Sequence, residues 1–554
     1  MNYRKYLALP SVALFSALAA CGGGTPSTDG VSHAGAAIQA PKGGAAGIAW
    51  FQGSLDTAFS KGRSESKPVL AVWSAAWCPY CEALKKTVFT RADVQEQFRH
   101  FVPIYLDGDL PEAHRLGQKF KVPGYPTVII FRPDGIEIAR VSGGMDLNQY
   151  AIVLSQVLED ERPIAEVLAA VIGTDTPDQQ ATKDGRNATQ SSSPEPAARS
   201  IHAQDCRRLA YHGWDLVDES HGTSATRAAD LTAAAERCKI ADPIASTRLS
   251  LHALSAALST ASDELNDGQA NPAKARTELA LSSGNALRVR MPTLVERVRA
   301  LSPILQDSTE VRAVSDILVG FNSVLYKVVE NQGEPFARGF RREWTAAMVD
   351  VAHDTNYGES ERLLAITTAI EAEETLSADH KASSRLIEDA RKQVRSALKS
   401  QRPDGERADI VNASRIFYRT IGDDQALYDM LLSEIPKSKT PYYYMPTLAS
   451  IEEKRGHSEQ AIAWPKKGFA ATQTPGAQAK WGSSYLNGLI RMTPDDMAPI
   501  QLVATQVADA LNERDAQGDK AAESGKRLIN TLAKWATTPA RKEVVSTIEK
   551  CFAT

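Results

Sequence analysis

Cys78 and Cys81, in the stretch Trp77-Cys78-Pro79-Tyr80-Cys81, are two cysteines at a spacing that lets the thiols close as a disulfide and open again. The thiolate, not the thiol, attacks a disulfide, so the surroundings of such a pair matter as much as its spacing. The apolar run Pro68-Val69-Leu70-Ala71-Val72-Trp73 predicts a buried strand, and Glu82 to Phe89 predicts the body of a helix. The pair then sits where a strand delivers the chain into a helix N-terminus, whose unpaired N–H groups and dipole favour ionised sulfur. Half a zinc site fits less well, because no second Cys pair or His pair follows at finger spacing. A static two-residue disulfide loop adds little stability by loop closure. Soft thiolates can also hold Cu(I), which leaves metal handling as an alternative use of the pair.

The elements that would position the pair alternate between strand and helix. A helix precedes the first strand, and Phe101 to Asp107 reads as a second strand. Leu110 to Phe120 reads as a helix. Val122-Pro123-Gly124-Tyr125-Pro126-Thr127 then leads into a strand at 128–131, and Pro133-Asp134-Gly135 turns into another at 136–141. A last helix reaches about Leu158.

This order, with Trp-Cys-x-x-Cys and Gly-Tyr-Pro-Thr, resembles the thioredoxin fold. The stretches Thr87 to Gln95 and Arg140 to Asp146 are similar to the periplasmic C-terminal domain of the membrane thiol:disulfide interchange reductase. The resemblance covers about one fifth of the chain. It implies an exposed nucleophile at Cys78 and a more buried resolving thiol at Cys81, with Trp77 covering the sulfurs. It implies a cis Pro126 and an edge at Tyr125 and Pro126 to which an extended client segment adds. Pro79 and Tyr80 complete the implied substrate-facing set. Two positions depart from the family: Val72 and Lys85 stand where buried acids are usual. Proton removal from Cys81 would then fall to water or to a neighbour such as Glu82. No cofactor and no metal are implied.

Arg4 and Lys5 followed by the apolar stretch to Ala20, closing Leu-Ala-Ala-Cys, resemble a bacterial lipoprotein signal at 1–21, with Cys21 as the lipidated residue. Gly22 after the cysteine implies outer-membrane anchoring on the periplasmic side. Residues 22–47 are rich in Gly, Ala and Ser and suit a tether reaching roughly 25–30 Å. The expected organisation is a thioredoxin-like domain at 48–162, a polar linker rich in Ser, Asp and Pro at 172–200, and an all-helical part at 201–554. The fold class is thus an N-terminal α/β domain followed by a large all-α region. A formal net charge of −4 over 554 residues offers no basic footprint for nucleic acid. No later run is apolar enough to span a bilayer, so only lipid would tie the chain to a membrane.

The helical part carries 3.6-residue periodicity at 229–239, 247–262, 381–398 and 501–511. Leu448-Ala449, Gly456 and Ala461 resemble the start of a tetratricopeptide repeat, and Gly422 precedes Gly456 by that repeat's 34 residues. Such an array presents a concave partner-binding surface. Tyr442-Tyr443-Tyr444, Trp464 and Trp481 suit such a surface, with core packing favoured. A Cys206–Cys238 bridge across a helical hairpin is the expected disulfide, leaving Cys551 as a lone thiol. Pairings of either residue with Cys551 stay open.

Two functions follow. One is a lipid-anchored periplasmic thiol–disulfide oxidoreductase, whose partners are client proteins with disulfides or thiols and a redox protein that recharges the pair. The other is a helical-repeat binding or assembly lipoprotein with a redox-sensing or metal-binding appendage.

Overall fold

The computed structural model describes residues 47–75, 78–122, 124–142, 147–173, 201–214, 224–270, 294–321, 323–401, 404–438, 440–515 and 519–552. The signal segment with Cys21, nearly all of the tether, Trp77 and the linker beyond Gly173 lie outside them. The chain divides into two compact units, one running to Trp464 and one from Pro465 onward.

The first unit opens with α1 (Leu55–Glu65), capped by Ser54, whose hydroxyl accepts from the Thr57 amide. There follow β1 (Val69–Ser74), α2 (Pro79–Thr87), α3 (Ala92–Phe98), β2 (Val102–Asp107), α4 (Pro111–Lys119), β3 (Thr127–Phe131), β4 (Glu137–Ser142) and α5 (Leu147–Glu159). The sheet order is β2-β1-β3-β4. β2 runs parallel to β1, whereas β3 is antiparallel to both β1 and β4.

β1 is buried along its whole length, which explains its unbroken apolar run: helices cover both faces of the sheet. Side chains still alternate. Leu70 and Val72 join Leu84, Phe89, Phe98, Val128, Tyr150 and Leu154 on one face. Val69, Ala71 and Trp73 join Ile104, Leu116, Ile129 and Phe131 on the other. Trp73 also donates from Nε1 to the Ala113 carbonyl at 3.0 Å, fixing α4 to the central strand. In register, Ser74 faces Asp107 and Trp73 faces Thr127. The C-terminal ends of β1 and β2 and the start of β3 therefore share one edge, where the dithiol and the Tyr125–Pro126 loop converge.

Beyond Pro163 the chain joins a helical core. Helix Ile164–Ile172, ended by left-handed Gly173 (φ 80°), packs through Ile164, Val167 and Val171 against Cys206, Leu209, Leu231, Cys238 and Leu249. Ile172, expected to open a linker, is therefore helical. Arg208 is buried, pairs with Asp160 at 2.6 Å and donates to the Arg162 carbonyl at 2.6 Å. The end of the α/β domain is thus fastened to helix Ala203–Ala210. Cys206 and Cys238 are joined in a disulfide between helices Ala203–Ala210 and Ser224–Cys238. Cys551 is not the lone thiol expected of it, because its sulfur is held in a disulfide.

A second helical core spans Leu251 to Ile451, with Trp344, Tyr326 and Phe417 among its largest fully buried side chains. Gly422 (φ 66°) and Gly456 (φ 77°), 34 residues apart in sequence, have equivalent positions. The first joins Asp404–Thr420 to Asp424–Glu434, and the second joins Met445–Lys454 to Ser458–Ala470. Leu448 and Ala461 are fully buried in the second hairpin.

The second unit contains helices Pro475–Met492, Met497–Asp515, Asp519–Trp535 and Pro539–Lys550. Gly482 permits close packing there, as a Cβ would lie 2.6 Å from Val507 and 2.9 Å from Phe469. Among the described residues no helix is long and apolar enough to cross a membrane.

Candidate redox site

Cys78 is the N-cap of α2. Its backbone is extended (φ −92°, ψ 113°), its amide donates to Ala75 at 3.2 Å, and its carbonyl accepts from Glu82 at 3.1 Å. Pro79 occupies the first turn, where a missing N–H costs nothing. The Cys81 amide points at Cys78 Sγ, 3.3 Å away. A sulfur thus stands where helices usually place Ser or Asp oxygen, receiving an N–H that would otherwise be orphaned. From the other side Cys78 Sγ donates to the Tyr125 carbonyl at 3.4 Å. The two bonds suit opposite states: the thiol gives its proton to Tyr125, and the thiolate accepts from Cys81.

The Tyr125–Pro126 peptide is cis. Tyr125 and Tyr80 are packed against a small buried cluster of Ala75, Cys78 and Cys81. The ring of Tyr125 is admitted by Gly108, just after β2, where a Cβ would fall 2.4 Å from it. Gly108 itself donates to the Ser74 carbonyl at 2.7 Å, tying β2 to the strand that feeds the dithiol. Trp77 lies outside the described residues, as does the side chain of Pro79.

Burial pushes the Cys81 thiol well up, and Cys78 beside it adds to the rise. That suits a resolving thiol, which must stay protonated until the first step is complete. Behind Cys81 stands a polar group in place of the usual acids. Burial pushes Tyr105 up to about 12. Lys85, 3% exposed, reaches Glu82 at 2.5 Å and the Tyr105 hydroxyl at 3.5 Å. Burial works against the Lys85 charge, but Tyr105 and Glu82 outweigh it and hold its pKa above the ordinary value. Glu82, considered from the sequence as a proton acceptor for Cys81, is thus engaged by Lys85. Burial raises Asp107, at the end of β2, although the Asp109 amide and Lys85 draw it back.

One expectation is corrected. Cys78 was expected to be exposed, yet it is 2% exposed, with Cys81 at 1%. The cause is the helical part of the same unit. Helix α2 packs against helix Asp404–Thr420. Burial pushes Tyr80 up to about 12, with Asp409, Arg415 and Tyr444 within electrostatic reach of its ring. Burial also raises Tyr442 and Tyr443, both of which feel Cys78. Of the three tyrosines favoured as core, Tyr442 is buried and Tyr443 and Tyr444 are half-buried, and the first two are within electrostatic reach of Cys78. Sequence reading passed over Gly108, Asp409 and Arg415 altogether. Two prolines bracketing three tyrosines, Pro441 and Pro446, were the available signal that this turn is stiff and specialised.

A family model described as a thioredoxin-like domain matches residues 55–158. The chain is 35% identical over 104 residues to a thiol:disulfide interchange protein DsbD of Pseudomonas fluorescens, covering 18% of this chain and 17% of that protein. It is 35% identical over 92 residues to the protein of the same name from Yersinia pestis, covering 16% of each. The chain thus spans about one sixth of the length of these relatives. A thioredoxin from Thermus thermophilus, solved in solution, matches over 20% of this chain and 88% of its own, at 23% identity and a TM-score of 0.19.

Proposed function

We propose, from residues 55–158 as a thioredoxin-like domain close to the periplasmic domain of the interchange proteins, that the chain exchanges thiols and disulfides with client proteins through Cys78 and Cys81. The observation that carries this reading is the Cys78 sulfur at a helix N-cap, held between the Cys81 amide and the Tyr125 carbonyl of the cis-proline loop. Cys78 thiolate attacks one sulfur of a client disulfide, and the other client sulfur leaves as thiolate and takes a proton. Cys81, after losing its proton, attacks Cys78 Sγ. The second client thiol is released, the client has gained two electrons, and the pair is left as a disulfide. Run in reverse, the same steps oxidise a client, so the recharging partner sets the direction. Tyr125, Pro126, Tyr80, Pro79 and Trp77 would form the client-facing surface, with main-chain pairing at the Tyr125 edge.

The Pro-Tyr dipeptide resembles that of glutaredoxins, which supports a couple near −200 to −230 mV. Cys21 would carry the lipid that holds the chain to the outer membrane, facing the periplasm, with the helical part positioning clients. Cys78→Ser is expected to abolish reduction of insulin by the full chain, and Cys81→Ser to accumulate mixed disulfides in cells. No trapped species, or a potential at or below about −270 mV against glutathione, counts against the reading. Mass spectrometry of the mature N-terminus tests the anchor: a Cys21 without lipid, or one bonded to another cysteine, removes it.

A further inference from the structure

The dithiol carries a cover made by its own chain. Helix Asp404–Thr420 packs on α2, and Tyr442 and Tyr443 of the 3-10 turn Pro441–Tyr443 come within electrostatic reach of Cys78, although both elements lie more than 300 residues downstream of it. The redox mechanism needs a client sulfur in line with Cys78, and a residue with 2% of its surface exposed leaves no such approach. We propose that Tyr442 and Tyr443, with the Asp409–Arg415 stretch beside them, form an intramolecular cover over the dithiol, and that client exchange proceeds only from a state in which this cover has lifted. The inference rests on the redox reading and adds its control.

The cover is stiff within the helical part. Arg407, near the start of Asp404–Thr420, grips Glu434 through two bonds of 2.7 and 2.8 Å and also donates to the Leu398 and Ser400 carbonyls. The tyrosine turn is bracketed by Pro441 and Pro446, which restrict its backbone. Opening is therefore a movement of the helical part away from α2, not a melting of the turn. The contact is also not built like a permanent core. Asp409 and Arg415 are partly buried at it, and desolvated charges make an interface cheaper to open than an apolar one. What replaces the cover must offer similar chemistry: an extended client segment with aromatic or apolar residues flanking its disulfide, able to pack on Tyr80 and Tyr125.

The test is the rate at which iodoacetamide modifies Cys78 in the full-length Cys81→Ser chain at pH 7.5. Combining Tyr442→Ala with Tyr443→Ala is expected to raise that rate at least tenfold, with Tyr443→Phe close to the starting rate because its ring still fills the contact. Arg415→Glu, outside the turn, is expected to act in the same direction and serves if the double variant fails to fold. Rates equal to the starting chain in both variants overturn the cover. Equilibration of the Cys78–Cys81 pair with glutathione, in the chain retaining both thiols, separates the two ideas. A normal reversible couple with unchanged alkylation removes the cover alone, whereas a pair that never forms a disulfide removes the redox reading beneath it.

Discussion

At the scale of single residues, the site depends on how unequally two sulfurs are treated. Both are buried, but Cys78 has an amide donor and a helix N-terminus, while burial and the neighbouring Cys78 sulfur raise the Cys81 pKa well above normal. Attack by Cys81 needs its thiolate. Collapse of a mixed disulfide in the chain retaining both thiols is therefore expected to accelerate about tenfold per pH unit between pH 7 and 9, read by quenched-flow release of product. A flat profile would place another step in control. Lys85→Ala strips the cation from Glu82 and Tyr105 in a buried position and should lower stability by about 2 kcal/mol in urea unfolding. Asp409 is held up at about 6, by burial first and Glu406 second, against an ordinary 3.8. Its folded pKa lies above its unfolded one, so below about pH 4 it is protonated in both states and costs nothing. The folded state loses stability as pH climbs through 4 to 6. Asp409→Asn is expected to flatten that slope and add about 2–3 kcal/mol at pH 7.5. The dithiol and its partner proline could be read from the sequence because their chemistry is local. Asp409 and Arg415 could not, since nothing in a helical, charged stretch says which distant element it meets.

At the scale of elements, each strand of the α/β domain lies within about a residue of where its apolar run placed it. Strand identity follows from burial on both faces, and that is written in composition. Helix α3 was missed because Ala92–Phe98 is short and follows α2 closely, with Val94 and Phe98 its buried residues. Gly108 was missed for a different reason: a glycine after a strand usually marks a turn, and here it makes room for a ring. Gly108→Ala should displace Tyr125 and with it the carbonyl that accepts from Cys78. The expected outcome is at least a fivefold loss in insulin reduction with little change in circular dichroism, and an unaltered rate would show that the ring is not needed. In the helical part, the 34-residue spacing of Gly422 and Gly456 marked two equivalent turns, because a left-handed helix end is a need that sequence states openly.

At the scale of the whole chain, a module about one fifth of its length is embedded in helices that fasten to it through Arg208 and Asp160 and close over its reactive end. Composition foretold two kinds of structure but not that they would share a surface, since contacts between distant segments leave no period in the sequence. The Cys206–Cys238 link encloses a separation of 32 residues and should contribute about 3–4 kcal/mol; replacing both with Ala is expected to lower the midpoint of thermal unfolding accordingly. Both of its sulfurs have no accessible surface. Complete enclosure denies any attacking thiolate, including one of the chain's own, the angle it needs. The same enclosure fixes an order of assembly: oxidation at this hairpin has to precede the final closure of the helices around it.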